Sequence, residues 1–175
     1  MPRGTLYFIV GPSGAGKDAL IERVRSRRPD LYLMPRTITR PAIADEHVEV
    51  TEEEFATLKR RYAFCLSWDA NGLRYGISRD LETRLEAGQS VILNGSRGIV
   101  DEVTEQFQPS RIIYVHARLD ILAHRLRSRG REDENEIELR LARAERAAPK
   151  GPNVIAVDNS DSLDDSSEVF LAALN

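Results

Sequence analysis

Leu6-Tyr7-Phe8-Ile9-Val10-Gly11-Pro12-Ser13-Gly14-Ala15-Gly16-Lys17-Asp18 carries a strand, a loop and the start of a helix in one continuous stretch. Leu6 to Val10 is an unbroken apolar run with β-branched and aromatic members, the pattern of a strand buried on both faces. Gly11 to Lys17 follows at once with the spacing G-x-x-x-x-G-K. Ala19, Leu20, Ile21 and Val24 then recur at helical spacing while Glu22, Arg23 and Arg25 take the other face, and Pro29 ends the element. In this order, successive backbone N–H groups of the loop face one anion and the helix N-terminus adds partial positive charge. Gly11, Pro12, Ser13, Gly14, Ala15 and Gly16 are thus expected to wrap the phosphates of ATP, with Lys17 reaching the β and γ oxygens.

Asp18 departs from the usual loop, where a Ser or Thr hydroxyl after the lysine meets Mg²⁺. A carboxylate is also a hard oxygen ligand, so Asp18 is the candidate metal residue, binding directly or through water. Its extra negative charge beside a triphosphate predicts strict Mg²⁺ dependence.

Working outward, Val91-Ile92-Leu93, Ile112-Ile113-Tyr114-Val115 and Val154-Ile155-Ala156-Val157 read as further buried strands, separated by segments of helical periodicity. That alternation predicts βαβ units and an α/β fold with a parallel central sheet. Between the first helix and residue 90, the runs Leu31 to Thr39, His47 to Val50, Ala63 to Trp68 and Leu73 to Ile77 read as short strands. Thr51-Glu52-Glu53-Glu54 opens a short helix with a capping box. Residues 32–78 therefore read as a small inserted α+β lobe. From Asp120 to Ala148 the chain is helix-forming and densely charged, with Gly130 expected to form a hinge. Ser162 caps a closing helix expected to pack Val169, Phe170, Ala173 and Leu174 inward.

The length of 175 residues fits one domain, and a 41% hydrophobic and 30% charged composition is that of a soluble globular chain. No apolar run approaches the roughly 20 residues of a membrane helix. Met1-Pro2-Arg3-Gly4 leads into the first strand without the apolar segment of a signal peptide, so a cytoplasmic protein is expected. Cys65 is the only cysteine, which excludes an internal disulfide and suits a reducing compartment. A formal charge of −3 argues against general nucleic-acid binding. Yet of the 25 basic residues only Lys17, Lys59 and Lys150 are lysines. Arginine forks suit phosphate oxygens, although genome composition produces the same bias.

Gly11 to Asp18, Thr37-Ile38-Thr39-Arg40-Pro41, Tyr75-Gly76 and Arg125-Leu126-x-x-Arg129-Gly130 together resemble guanylate kinases and the wider nucleoside monophosphate kinase group. The resemblance spans nearly the whole chain. It implies a P-loop kinase domain with a core at 1–31, 79–124 and 149–175, an acceptor-binding lobe at about 32–78 and a helical lid at about 125–148. It also implies that Arg40 and Tyr75 hold the acceptor phosphate, while Arg125, Arg129 and Arg140 join Lys17 as catalytic groups around the transferring phosphoryl group. Arg131 and Asn159 are candidates for the ATP side, with a solvated charge the other reading of Arg131.

The guanine-reading positions do not match. Where guanylate kinases carry a serine, a second arginine and a glutamate, this chain has Arg36, Ile43 and Ser67. A base-reading site deprived of its polar partners loses roughly 10⁴ in discrimination. The substituted segments, Leu66 to Gly76, Asn94-Gly95-Ser96-Arg97 and Arg129-Gly130-Arg131-Glu132, with Asp18 after Lys17, instead resemble the ribose 1,5-bisphosphate phosphokinases of phosphonate catabolism. That likeness implies transfer of the γ-phosphoryl group of ATP to a sugar bisphosphate.

Residue chemistry is compatible with such an acceptor, which offers phosphates and hydroxyls but no base. Arg36, Arg40, Ser67, Asp69, Tyr75, Asn94 and Arg97 form the candidate substrate set. Asn71 is either a hydroxyl partner or, with Gly72, a hairpin turn. Asp69 can shape the same turn, His47 is a phosphate donor or a solvated strand residue, and Trp68 is lobe core or an apolar wall. A nucleoside monophosphate kinase and an inactive protein-binding domain of the guanylate kinase type are the rival readings. The assembly is expected to be a monomer or a homodimer.

Overall fold

The computed structural model describes residues 1–40, 47–146 and 148–175; Pro41 and Ile43 lie outside the described residues. In chain order the elements are β1 (Leu6–Val10), α1 (Lys17–Arg25), β2 (Tyr32–Leu33), β3 (Arg36–Ile38), β4 (His47–Glu49), α2 (Glu52–Arg60), β5 (Phe64–Ala70), β6 (Leu73–Ser78), α3 (Asp80–Glu86), β7 (Val91–Asn94), a 3₁₀ turn (Arg97–Ile99), α4 (Val100–Gln106), β8 (Ser110–His116), α5 (Leu119–Arg129), α6 (Glu134–Ala144), β9 (Val154–Asp158) and α7 (Leu163–Ala173). Strand order is β2-β7-β1-β8-β9 in the central sheet and β4-β3-β6-β5 in a second sheet. β8 pairs with β9 in parallel, as the alternation of strands and helices predicts, whereas β2, expected in the inserted lobe, pairs in parallel with β7 in the central sheet. The chain divides into two compact units, residues 1–6 with 30–110 and residues 7–29 with 111–175.

The first unit contains the second sheet. β5 and β6 form an antiparallel hairpin, and β3 pairs antiparallel with β6 and parallel with β4. Asn71 and Gly72 close the hairpin with φ of 53° and 74°, the pair of positive angles a tight turn requires. The capping box of α2 is present: Glu54 N–H donates to Thr51 Oγ1 (3.1 Å) and Thr51 N–H to Glu54 Oε2 (2.7 Å). The run from Leu31 to Thr39 is two strands and not one. Tyr32 and Met34 N–H donate to Ser90 O (3.1 Å) and Ile92 O (2.9 Å), and past Pro35 the chain enters the second sheet as β3.

Every side chain of β1 is buried, and in the second unit α1 buries Leu20, Ile21 and Val24. That helix ends at Arg25, before Pro29, where the Arg27 and Arg28 N–H groups both turn back to Val24 O (3.0 and 2.9 Å). β9 is less buried than its apolar sequence implies, with Ala156 exposed and Val157 buried, because it is the edge strand of its sheet. Ser162 caps α7 as expected, accepting from Asp165 N–H (3.3 Å). Phe170, Ala173 and Leu174 are buried, but Val169 is 50% exposed. Ser166 and Ser167 take the inward positions, made tolerable by hydroxyl donation to Ser162 O (2.9 Å) and Leu163 O.

Among the described residues, no helix is long and apolar enough to cross a membrane.

Candidate active site

Gly16 is the N-cap of α1 with φ of 90°, and a Cβ there would lie 2.4 Å from Asn159 Nδ2. Only glycine combines that backbone angle with so close a neighbour. Asn159 follows β9, is 2% exposed, and donates through Nδ2 to Ala15 O (2.8 Å). Arg125 on α5 donates to Gly14 O (3.3 Å), Ala15 O (3.4 Å) and Asn159 O (2.7 Å). These side chains occupy loop carbonyls, and within the loop Ala15 N–H donates to Pro12 O (3.2 Å). Lys17 Nζ donates to Gly11 O (2.7 Å) and Pro12 O (3.0 Å), so its ammonium folds back over the loop. Asp18, one residue into the first turn of α1, is exposed.

The turn that presents Asn159 is tied by neighbouring polar groups. Hydrogen bonding from Ser160 holds the Asp158 carboxyl below the usual carboxylate range. Ser160 Oγ in turn accepts from Arg118 N–H (2.9 Å).

α5 and α6 supply the remaining arginines. Gly130 ends α5 in the left-handed conformation, and Asp133 starts α6 with a second capping box, accepting from Glu136 N–H (2.8 Å) while Glu136 Oε2 accepts from Asp133 N–H (2.9 Å). Arg140 Nη1 donates to Ser13 Oγ (3.1 Å), joining α6 to the phosphate loop. Arg129 and Arg140 both pair with Glu132. Arg131 is exposed. The second unit thus gathers the loop, Lys17, Arg125, Arg129, Arg140 and Asn159.

In the first unit, Trp68 and Tyr75 stack with ring centroids 5.3 Å apart and planes at 3°, and the Arg36 guanidinium lies 5.4 Å from the Tyr75 centroid. Arg36 Nη2 is also 3.3 Å from His47 Nε2. Strand alternation puts Ser67 and Asp69 on the other face of this sheet, since Trp68 opposes Tyr75 and Asp69 opposes Arg74. Asp69 lies 3.6 Å from Arg74, whose guanidinium covers the Phe55 ring of α2. The candidate substrate residues on this sheet are therefore divided between its faces. Arg40 is half-buried, with a buried Nε that has no hydrogen-bond partner among the described residues. Asn94 ends β7 and is buried, and Arg97 sits half-buried in the 3₁₀ turn.

Two features were not assigned roles from the sequence. The stacking of Trp68 on Tyr75 depends on strand register, although both residues stood out singly. Glu132 had a local signal, its i,i+3 spacing from Arg129, but its meeting with Arg140 depends on how α5 and α6 pack.

The guanylate kinase family model matches residues 3–174, and the chain belongs to that family of phosphate-binding-loop proteins. Among its relatives is the ribose 1,5-bisphosphate phosphokinase PhnN of Burkholderia pseudomallei, 40% identical over 173 residues that cover 97% of this chain and 94% of the relative. A bifunctional ribose 1,5-bisphosphokinase-thymidine phosphorylase of Cupriavidus necator is 42% identical over 176 residues, covering 98% of this chain but 29% of that protein's length. A guanylate kinase from Anaplasma phagocytophilum shares the fold with a TM-score of 0.70 at 18% identity, over 99% of this chain and 85% of that one.

Proposed function

We propose that the chain is a ribose 1,5-bisphosphate phosphokinase, transferring the γ-phosphoryl group of ATP to the 1-phosphate of ribose 1,5-bisphosphate to form 5-phosphoribosyl 1-diphosphate and ADP. The observation that carries this reading is the 40% identity to a phosphokinase of that name across nearly the full length of both chains. An oxygen of the acceptor's 1-phosphate attacks the γ-phosphorus, the bond from the γ-phosphorus to the β–γ bridging oxygen breaks, and ADP leaves with that oxygen.

Because the acceptor is already an anion, no strong base is required, and the main obstacle is repulsion between two phosphates. Catalysis is then positioning plus electrostatic stabilisation. Loop N–H groups hold the ATP phosphates, and Lys17 exchanges its carbonyl partners for phosphate oxygens. Arg129 and Arg140 meet the transferring group, with Arg125 and Asn159 keeping the loop in shape. Arg36, Arg40 and Tyr75 bind the acceptor, with Asn94 and Arg97 as further polar partners. Closure of the α5–α6 segment excludes water and suppresses ATP hydrolysis.

Among the described residues no group of three or more His, Cys, Asp or Glu side chains could hold a metal ion alone. Mg²⁺ fits a site made of ATP phosphates, water and Asp18, since that ion keeps several waters and takes one or two carboxylates. When bound it supplies neutralising charge to the β and γ phosphates. A cytoplasmic setting follows from the substrates.

The test is product identification by phosphorus NMR after incubation with ATP, Mg²⁺ and ribose 1,5-bisphosphate, beside GMP and other nucleoside monophosphates. A new diphosphate on the sugar is expected. Phosphorylation of GMP with none of the sugar bisphosphate would overturn the assignment in favour of a nucleoside monophosphate kinase.

A further inference from the structure

Glu132 lies in the short link between α5 and α6, and its side chain is only 5% exposed. Its Oε1 accepts from Arg129 Nη2 and lies 3.2 Å from Arg140 Nη2. Arg140 is thereby held at two points, because its Nη1 donates to Ser13 Oγ of the phosphate loop at 3.1 Å. One carboxylate therefore connects the end of α5, the middle of α6 and, through Arg140, the loop expected to carry the ATP phosphates.

Burying a carboxylate is costly unless opposite charges and hydrogen bonds compensate it. Here two guanidiniums do so, and the three groups together retain excess positive charge. Oε2 is buried with no hydrogen-bond partner among the described residues. Buried polar side-chain atoms in folded proteins are seldom without a partner, so such an exception calls for an explanation. A guanidinium is a rigid planar fork with five N–H donors, so fixing one edge aims the others. Glu132 grips both forks through a single oxygen, and so orders them without neutralising the cluster.

We infer that Glu132 is a positioning residue for phosphoryl transfer: it sets Arg129 and Arg140 so that their remaining N–H groups meet the charge that develops on the transferring group. It acts through the two arginines and makes no contact with substrate. The inference rests on the phosphoryl-transfer reading above, and not on the identity of the acceptor. Ordering the forks before ATP arrives removes an entropic cost from the reactive complex, which favours the transition state over bound ADP.

Calorimetric binding of ADP, and of ADP with aluminium fluoride as a mimic of the transferring group, tests this in Mg²⁺ buffer. The proteins are the wild type, Glu132→Gln, Arg129→Ala/Arg140→Ala and the triple variant. Glu132→Gln keeps the side chain's shape and one acceptor oxygen but removes the charge. It is expected to weaken the mimic about 10- to 100-fold while changing ADP affinity by less than about threefold. In the background lacking both arginines, the same substitution is expected to cost nothing further. Equal affinity of the wild type for ADP and the mimic would overturn the inference. So would unchanged mimic binding in Glu132→Gln, an equal loss for both ligands, or an undiminished loss without the arginines. Neither ligand includes the acceptor, so failure of the acceptor assignment, read from the NMR product, is distinguishable from failure here.

Discussion

At Gly16, backbone conformation and a long-range contact impose the same residue. A φ of 90° disfavours any side chain, and the Asn159 amide occupies the place of a Cβ. Gly16→Ala must therefore distort the loop or expel Asn159 from its bond to Ala15 O, at a cost of about 1–3 kcal/mol for the backbone alone. We expect ATP binding to be lost in an equilibrium titration while far-UV circular dichroism stays close to wild type. Cys65 makes a different residue-scale prediction. Burial, with a smaller push from Glu82, raises its thiol to about 12, and Sγ contacts the carbonyls of Ile77 and Ser78 at 3.5 Å. The thiolate is the nucleophile, so Cys65 should react slowly with a disulfide reagent at pH 8 in the native protein and rapidly in urea. Rapid native labelling would contradict this. In the unfolded chain the thiol ionises near its ordinary value of about 8.5. The folded protein holds the proton longer, so this group's contribution to stability is full below about pH 8.5 and declines as pH rises towards 12.

At the scale of elements, α6 is started by a reciprocal pair of hydrogen bonds between Asp133 and Glu136. The cap and helix are local in sequence, and both were open to the kind of reading that identified the equivalent box at Thr51. Asp133→Ala should cost about 1 kcal/mol, which for a chain of this size lowers Tm by about 2–4 °C. Hydrogen exchange should quicken at the N-terminus of α6, and unchanged protection there would refute the cap's role. The β5–β6 hairpin was equally legible, since Asn71-Gly72 between apolar strands is a strong local signal. Strand burial was less so. β9 looks as apolar as β8, and only its place at the sheet edge leaves Ala156 in contact with solvent.

For the molecule as a whole, a functional phosphate loop requires that ATP bind the native state and not the unfolded chain. ATP with Mg²⁺ at about 100 times its Kd should then add about 2.7 kcal/mol of stability. Scanning calorimetry should show a rise in Tm of about 5–10 °C. No shift would favour the inactive binding-domain reading over a kinase. Taken alone, the sequence determined the strand, loop and helix around Gly16 and Lys17, the helix caps and the hairpin, because each depends on residues close together in the chain. It also marked Arg125, Arg129, Arg140 and Asn159 as candidates. Only the tertiary structure decided that Arg125 and Asn159 brace the loop carbonyls, that Glu132 joins Arg129 to Arg140, and that Tyr75 lies between Arg36 and Trp68. Asn159 is 144 residues from Ala15, and Arg140 is 127 from Ser13. Packing brings such groups together, and no local spacing or propensity encodes which atoms will meet.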